Sequence, residues 1–334
     1  MALVSLGDMA QTFLMRRHTT EAKASLQRHL IEVTTGQAAD LTRQVRGDHS
    51  PLNGIDASLS RLQGYASVTT ELGLMTQAMQ TALGTIDDLA AGLAPALLNA
   101  ASPGNQTLVN TSAADAHQRF ATVVSTLNAR IGDRSLFAGQ ATERPALADA
   151  ESILSSLDTA IAGLGTAQDL ETAIGGWFDD PAGYATLAYQ GAGAMAAVAV
   201  ADGEQAQARL TAMDPALRNT LKGLAMAAML DRGVLSGAPA ARADLANRAG
   251  QVLISGQTGR TQMAADLGVV EAQIAAAGIR NTTETSALGI GRAAIVSVDP
   301  YEAATRLQDT ETQLETLYTL TARLSRLSLV DFLR

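Results

Sequence analysis

A mainly helical fold is predicted for this chain of 334 residues: an elongated antiparallel helical bundle or coiled coil formed by its N- and C-terminal regions, with a small β-hairpin element and a short helical insertion. Three features predict it. Both ends carry apolar residues at helical spacing, a long stripe with steps of three and four runs from Ile55 to Leu97, and Asp202-Gly203 sits between two short apolar runs. Steps of three and four line one face of a helix.

At the start, Leu3, Leu6, Phe13, Leu26, Leu30 and Val33 punctuate a polar background up to Gly36. At the other end, Asp299-Pro300 opens a helix in which Leu307, Leu314, Leu317, Leu320, Leu324 and Leu327 recur, followed by Leu329, Phe332 and Leu333. A lone helix cannot bury such a stripe, so the termini are expected to pack on each other and on neighbouring copies.

After Gly47-Asp48-His49-Ser50-Pro51, the stripe of Ile55, Leu59, Leu62, Ala66, Leu72, Met75, Met79, Leu83, Ile86, Leu89, Leu93 and Leu97 predicts one long helix, faltering near Thr69. Ser102-Pro103-Gly104 ends it, and an antiparallel partner follows from about Thr107 to Ile131. Next come Leu136-Phe137-Ala138, bracketed by Gly132, Gly139 and Pro145, then two shorter helical patterns, Ile153 to Leu164 and Leu170 to Ile174, and a turn at Trp177-Phe178-Asp179-Asp180-Pro181. Met195 to Val200 and Gln205 to Leu210 flank Asp202-Gly203, a hairpin signal in which both turn positions take positive φ. Asp214-Pro215 caps a helix through Met229, and one further helix, interrupted by glycines, spans about Ala240 to Val298 along the first hairpin. The expected division is 1–45 with 298–334 as a terminal coiled-coil domain, 46–140 with 190–297 as a helical rod, and 141–189 as a variable insertion.

Composition narrows the function. Hydrophobic residues make up 47% but aromatics only 3%, which suits closely packed helices rather than a thick core. The net charge of −9 opposes binding to nucleic acid or anionic lipid, and the arginines form no polybasic cluster. Cysteine is absent, which excludes disulfides, thiolate zinc and iron–sulfur centres. The first residues lack a basic segment ahead of an apolar core, so no cleaved secretory signal is read, and no apolar run approaches the roughly 18 residues of a membrane span.

Candidate chemistry is thin. His18, His29, His49 and His117 have neither the mutual spacing nor the carboxylate neighbours of a metal site, so none is assigned. Gly191-Ala192-Gly193-Ala194-Met195-Ala196, with Asp214 beyond it, loosely matches a dinucleotide fingerprint, but the segment after it reads as a strand and turn, without a parallel βαβ unit. Asp87-Asp88 and Asp179-Asp180 read as solvated positions. No nucleophile elbow, phosphate loop or kinase set is present, so no catalytic residue and no cofactor is expected.

Four stretches resemble the bacterial flagellin family, and within it the junction proteins between hook and filament. They are Leu26 to Gly36, with its Thr-Thr-Gly ending; Asn128 to Gly139, containing Arg134, Leu136, Phe137, Ala138 and Gly139, similar to the LFAG turn of junction proteins; Tyr189-Gln190-Gly191 with Val198 to Gly203; and Asp299 to Leu307 through Ser325 to Leu333. Departures are Arg43 to Gly47, where flagellins are rich in asparagine, and the apparent lack of an outer β-rich domain.

The resemblance implies a non-enzymatic structural subunit, exported through the flagellar type III channel without a cleaved signal and assembled outside the cell as a ring joining hook to filament. It further implies partners: copies of itself, a neighbouring hook-associated protein, flagellin subunits and an export chaperone, with no nucleic acid and no membrane insertion. Filament flagellin itself and a cytoplasmic helical scaffold are the alternatives.

Overall fold

A computed structural model describes residues 6–102 and 105–332. The chain folds as two units, Met1–Gln63 with Thr283–Arg334, and Gly64–Thr282. Among the described residues it is mainly helical, with two small antiparallel hairpins.

The first unit contains α1 (Leu6–Thr35), α2 (Leu41–Gln44), the start of α3 (Ser50–Ala100), the end of α9 (Gln257–Val296) and α10 (Pro300–Phe332). The expected starts and stops are found. Asp299 accepts from the backbone N–H groups of Tyr301 and Glu302 at 2.8 and 3.1 Å, so a side chain satisfies the first free donors of α10. Gly36 follows α1, and its carbonyl accepts from Val298 N while Ala38 N donates to Val296 O, so backbone bonds join the end of α1 to the start of α10. Arg292 of α9 pairs with Asp56 of α3 at 2.7 Å within the same unit.

The second unit holds the large core. α4 (Gln106–Leu127), α7 (Pro215–Asp231) and α8 (Pro239–Ser255) pack together, with α5 (Ala150–Ala160) and α6 (Ala167–Asp179) against them. Met79, Ile86, Leu93 and Leu97 of α3 lie fully buried with Phe120 and Leu127 of α4 and Leu221 and Leu224 of α7. α7 starts as expected: Asp214 accepts from Ala216 N, and Pro215 occupies the first position, where a missing N–H costs nothing.

Several expectations are corrected. α4 stops at Leu127 rather than Ile131, because Asn128 leaves the helix to bond Leu147 twice, its carbonyl accepting from Leu147 N (2.7 Å) and its amide donating to Leu147 O (3.0 Å). Arg130–Ile131 (β1) and Arg134–Ser135 (β2) then form a hairpin that the periodicity did not predict. Trp177 and Phe178 are not a turn but the end of α6, where they cluster with Tyr184 of a π-helical turn, Tyr184–Ala188, at ring separations of 5.1 to 6.2 Å. Asp180 is the residue that leaves the helix. The second hairpin, β3 (Val198–Ala201) and β4 (Glu204–Ala206), has the expected turn, yet only Gly203 takes positive φ (+70°), and the strands are shorter because the Gln207 amide donates to Met195 O in place of a ladder bond.

The single helix expected from Ala240 to Val298 divides at Gly256 into α8 and α9. Arg260 explains the break. Its guanidinium, almost wholly buried, donates to Leu253 O at 3.1 Å and pairs with Asp87 at 2.6 Å, so the last carbonyls of α8 are capped by a side chain instead of by continued backbone. The turn at Ser102-Pro103-Gly104 includes two residues outside the described ones. α3 also contains an 18-residue window with mean hydropathy 1.2, long and apolar enough by composition to cross a membrane, where no such run was expected. Met79, Leu83, Leu93 and Leu97 of α3 fill the core with α4.

Both hairpins brace α3 and α9 within this unit. Arg134 pairs with Glu71, and Tyr65 donates to Asp202; from α9, Arg280 pairs with Glu204 and the buried Asn281 amide donates to Val200 O. The Gly191 to Ala196 segment runs irregularly into β3 and opens no helix, and Asp214 serves as the cap of α7.

Candidate assembly surface

α1 and α10 pack against each other in antiparallel fashion: Gln37 bridges Ser297, while Lys23 places its ammonium 5.7 Å over the Tyr318 ring. The covered positions define the seam. On α10 they are Ala303, Leu307, Thr310, Leu314 and Leu317, and on α1 they are Met15, Thr19, Ala22, Leu26 and His29, both spaced four, three, four, three. That is a heptad pattern, the spacing that keeps two helices in register. Thr310 is buried, but its hydroxyl donates to Arg306 O at 2.7 Å, so a polar group enters the seam without an unmet donor. His29, half-buried, lies 3.0 Å from Glu32.

The remaining apolar residues face outward. Phe13 is 68% exposed, Leu30 52% and Val33 39%; Leu320 is 40% exposed. Of the residues expected at the interface, Leu26, Leu307, Leu314 and Leu317 thus contact the intramolecular seam, and Phe13, Leu30, Val33 and Leu320 are open. Leu6, Leu324, Leu327, Leu329 and Phe332 lie in α1 and α10 with side chains beyond those described, and Leu3 and Leu333 fall outside the described residues. Met9, Leu14, Ile31 and Tyr318 are further exposed members that the leucine count passed over, although Met9 stands at i−4 from Phe13. Solitary exposed apolar residues are ordinary, but groups of them on one helix mark contact surfaces. The hydrogen bond from Arg17 holds the Glu21 carboxyl of α1 below its usual range.

Charge separates the two units. Met1–Gln63 with Thr283–Arg334 carries 12 Lys or Arg against 13 Asp or Glu, whereas Gly64–Thr282 carries 12 against 20. The unit that exposes the apolar helices is therefore almost neutral and opposes close packing of copies very little.

The Arg134 to Gly139 turn has a structural geometry. Leu136, Phe137 and Ala138 are buried, and Arg134 is exposed in its pair with Glu71. Gly139 has φ +63°, and a Cβ there would lie 2.2 Å from Gly193 O and 2.7 Å from Ala192 O. The close approach permits Gln140 N to donate to Gly193 O and Ala192 N to Ala138 O, both at 2.9 Å, while Phe137 O accepts from Ala212 N. Tyr184, enclosed beside this knot, donates to Ala212 O at 2.8 Å, and burial pushes its hydroxyl pKa far above the ordinary tyrosine range. Among the described residues no group of three or more His, Asp or Glu is placed to hold a metal ion.

Residues 255–333 match the family model of the bacterial flagellin C-terminal helical region. The match takes in α9 and α10, of which α10 carries one side of the seam and the exposed Leu320. No curated protein matches the chain. Among solved structures, a flagellar hook-associated protein from Vibrio parahaemolyticus is similar at 12% identity and a TM-score of 0.40, covering 71% of this chain and 94% of that one.

Proposed function

We propose that this chain is a structural subunit of the bacterial flagellum that joins hook to filament, polymerising through α1 and α10 as a ring of copies, and that it is no enzyme. The observation that carries the proposal is the outward apolar surface of α1 and α10 on a near-neutral unit, together with the flagellin match over residues 255–333. Burial against neighbours recovers about 25 cal/mol per Å² of apolar surface, and the four open side chains of α1 and α10 named above have no other means of leaving water. The junction, rather than the filament shaft, is favoured by the Leu136-Phe137-Ala138-Gly139 turn, built here as a tight backbone knot. Export through the flagellar channel, an escorting chaperone, and contacts to a hook-associated protein on one side and flagellin on the other follow from the same reading.

Deleting residues 300–334 is the test. Incorporation into isolated hook–filament structures is expected to cease while residues 64–282 keep their helical circular dichroism. A truncated chain that still incorporates refutes the terminal-helix reading, and immunogold label along the shaft instead of at the hook tip assigns the chain to the filament.

A further inference from the structure

α9 buries one side along most of its length. Met263, Leu267, Ile274, Ala277 and Asn281 recur at steps of three, four and seven and are all buried, the pattern of a helix laid on a core. Continued by three or four, that face reaches Glu284 or Thr285 and then Leu288. Glu284 and Thr285 are exposed, and Leu288 is only half-buried. From Thr282 to Ala287 every residue is exposed, roughly one and a half turns without an inward side. No other exposed run in α9 exceeds three residues.

Tertiary contacts hold the helix before and after this stretch. Before it, Arg280 pairs with Glu204 and the buried Asn281 amide donates to Val200 O at 2.8 Å. After it, Arg292 pairs with Asp56 at 2.7 Å and Val296 is buried. Between them the residues are poor helix formers: Thr282, Thr283 and Thr285 are β-branched, and Gly289 and Gly291 follow. The Thr282 hydroxyl donates back to Gly278 O at 2.9 Å, a bond that bends and slightly weakens a helix. α9 also passes from one compact unit to the other at Thr282–Thr283. α3 makes its own crossing at Gln63–Gly64, both exposed, where a Cβ on Gly64 would meet nothing within 4 Å.

We infer that α9 carries a joint at Thr282–Ala287, a stretch that opens and recloses while the helix on both sides stays folded. Helices in proteins are kept mainly by the apolar face they bury, and the segments that open most readily are those with few buried contacts. Opening here uncovers no core side chain, since none lies in the stretch, so the Gly64–Thr282 unit keeps its packing. The device is an uncoupling. A change of conformation beyond Leu288 is absorbed before it reaches Asn281 and the second hairpin. The joint belongs to the isolated chain and does not depend on its joining hook to filament.

Hydrogen–deuterium exchange of the full chain, at a concentration where sedimentation shows a monomer, tests it. Amides of residues 282–291 are expected to exchange about tenfold faster, or more, than those of 263–281 and 292–298. Thr282→Ala, Thr283→Ala and Thr285→Ala each favour the helix about twofold, so the triple variant is expected to slow exchange in the stretch about tenfold and leave the rates at 263–281 unchanged. Even protection along all of α9 overturns the inference, and so does fast exchange that runs through 263–281 as well, because the helix then opens as a whole. An unchanged rate at 282–291 in the triple variant overturns it too, since local propensity then does not govern the opening.

Discussion

Replacing Gly139 by alanine tests how the knot around residues 134–139 is held. Two costs are expected, and the structure separates them. The φ of +63° places alanine in the left-handed region, at about 1 kcal/mol. The new methyl would also lie 2.2 Å from Gly193 O and 2.7 Å from Ala192 O, both backbone atoms that cannot swing away as a side-chain tip can. Relief requires the 190–194 segment to withdraw, which breaks the bonds from Gln140 N to Gly193 O and from Ala192 N to Ala138 O. Each is worth about 1 kcal/mol net, so the total comes to about 3 kcal/mol. Gly132 is the internal control: its φ is +54°, and a Cβ would meet nothing within 4 Å. Gly132→Ala is therefore expected to lose about 1 kcal/mol only. Urea unfolding of both variants, followed by circular dichroism, measures the difference of about 2 kcal/mol. Equal losses would refute the contact argument and leave backbone conformation as the sole cause.

Further outcomes follow from the same contacts. Asn128→Ala leaves the Leu147 N–H and carbonyl unpaired at the end of α4, and is expected to lower unfolding free energy by about 2 kcal/mol in urea titrations. Arg242 is buried, makes no direct ion pair among the described residues and donates to Leu230 O, Val234 O and Asn110; Arg242→Met is expected to cost about 2 kcal/mol, with Lys a poor substitute because it lacks the planar fork. The Tyr184 pKa is raised by burial, so its protonated form is the one the fold keeps; stability is full below the ordinary tyrosine value of 10.0 and falls as pH rises above it, when the unfolded chain ionises and the folded chain does not. Alkaline titration should show Tyr184 ionising only with unfolding, and Tyr184→Phe should flatten that pH dependence; an unchanged alkaline profile in the variant contradicts the assignment.

The helices were legible where bulk and spacing coincide. The stripe of α10 and the caps at Asp214 and Asp299 could be read directly, because leucine periodicity and capping side chains are local signals. The facing seam of α1 was not, since Thr19, Ala22 and His29 occupy heptad positions that only contact with α10 reveals. Thr69 interrupted the α3 stripe in sequence but is buried in the fold, because its hydroxyl is satisfied by its own helix. The β1–β2 hairpin was missed since its two-residue strands carry no alternation, although the Gly132-Asp133 pair between them is a two-residue hairpin signal. Likewise, the end of α8 is decided by Arg260 and its distant partner Asp87, a contact no window of sequence contains. Of the candidate surface, the leucines were visible in advance; which of them face inward was decided by the partner helix.

The pairing of α1 with α10 joins segments separated by about 265 residues of chain, whereas the Gly64–Thr282 unit closes within itself. Loop closure over such a distance is entropically unfavourable and slow compared with the formation of local helix pairs. During synthesis, the Gly64–Thr282 unit has all of its sequence before any of α10 is made. α1 thus waits unpaired on the nascent polypeptide, and the order in which the ribosome releases residues keeps the seam open until α10 has been made.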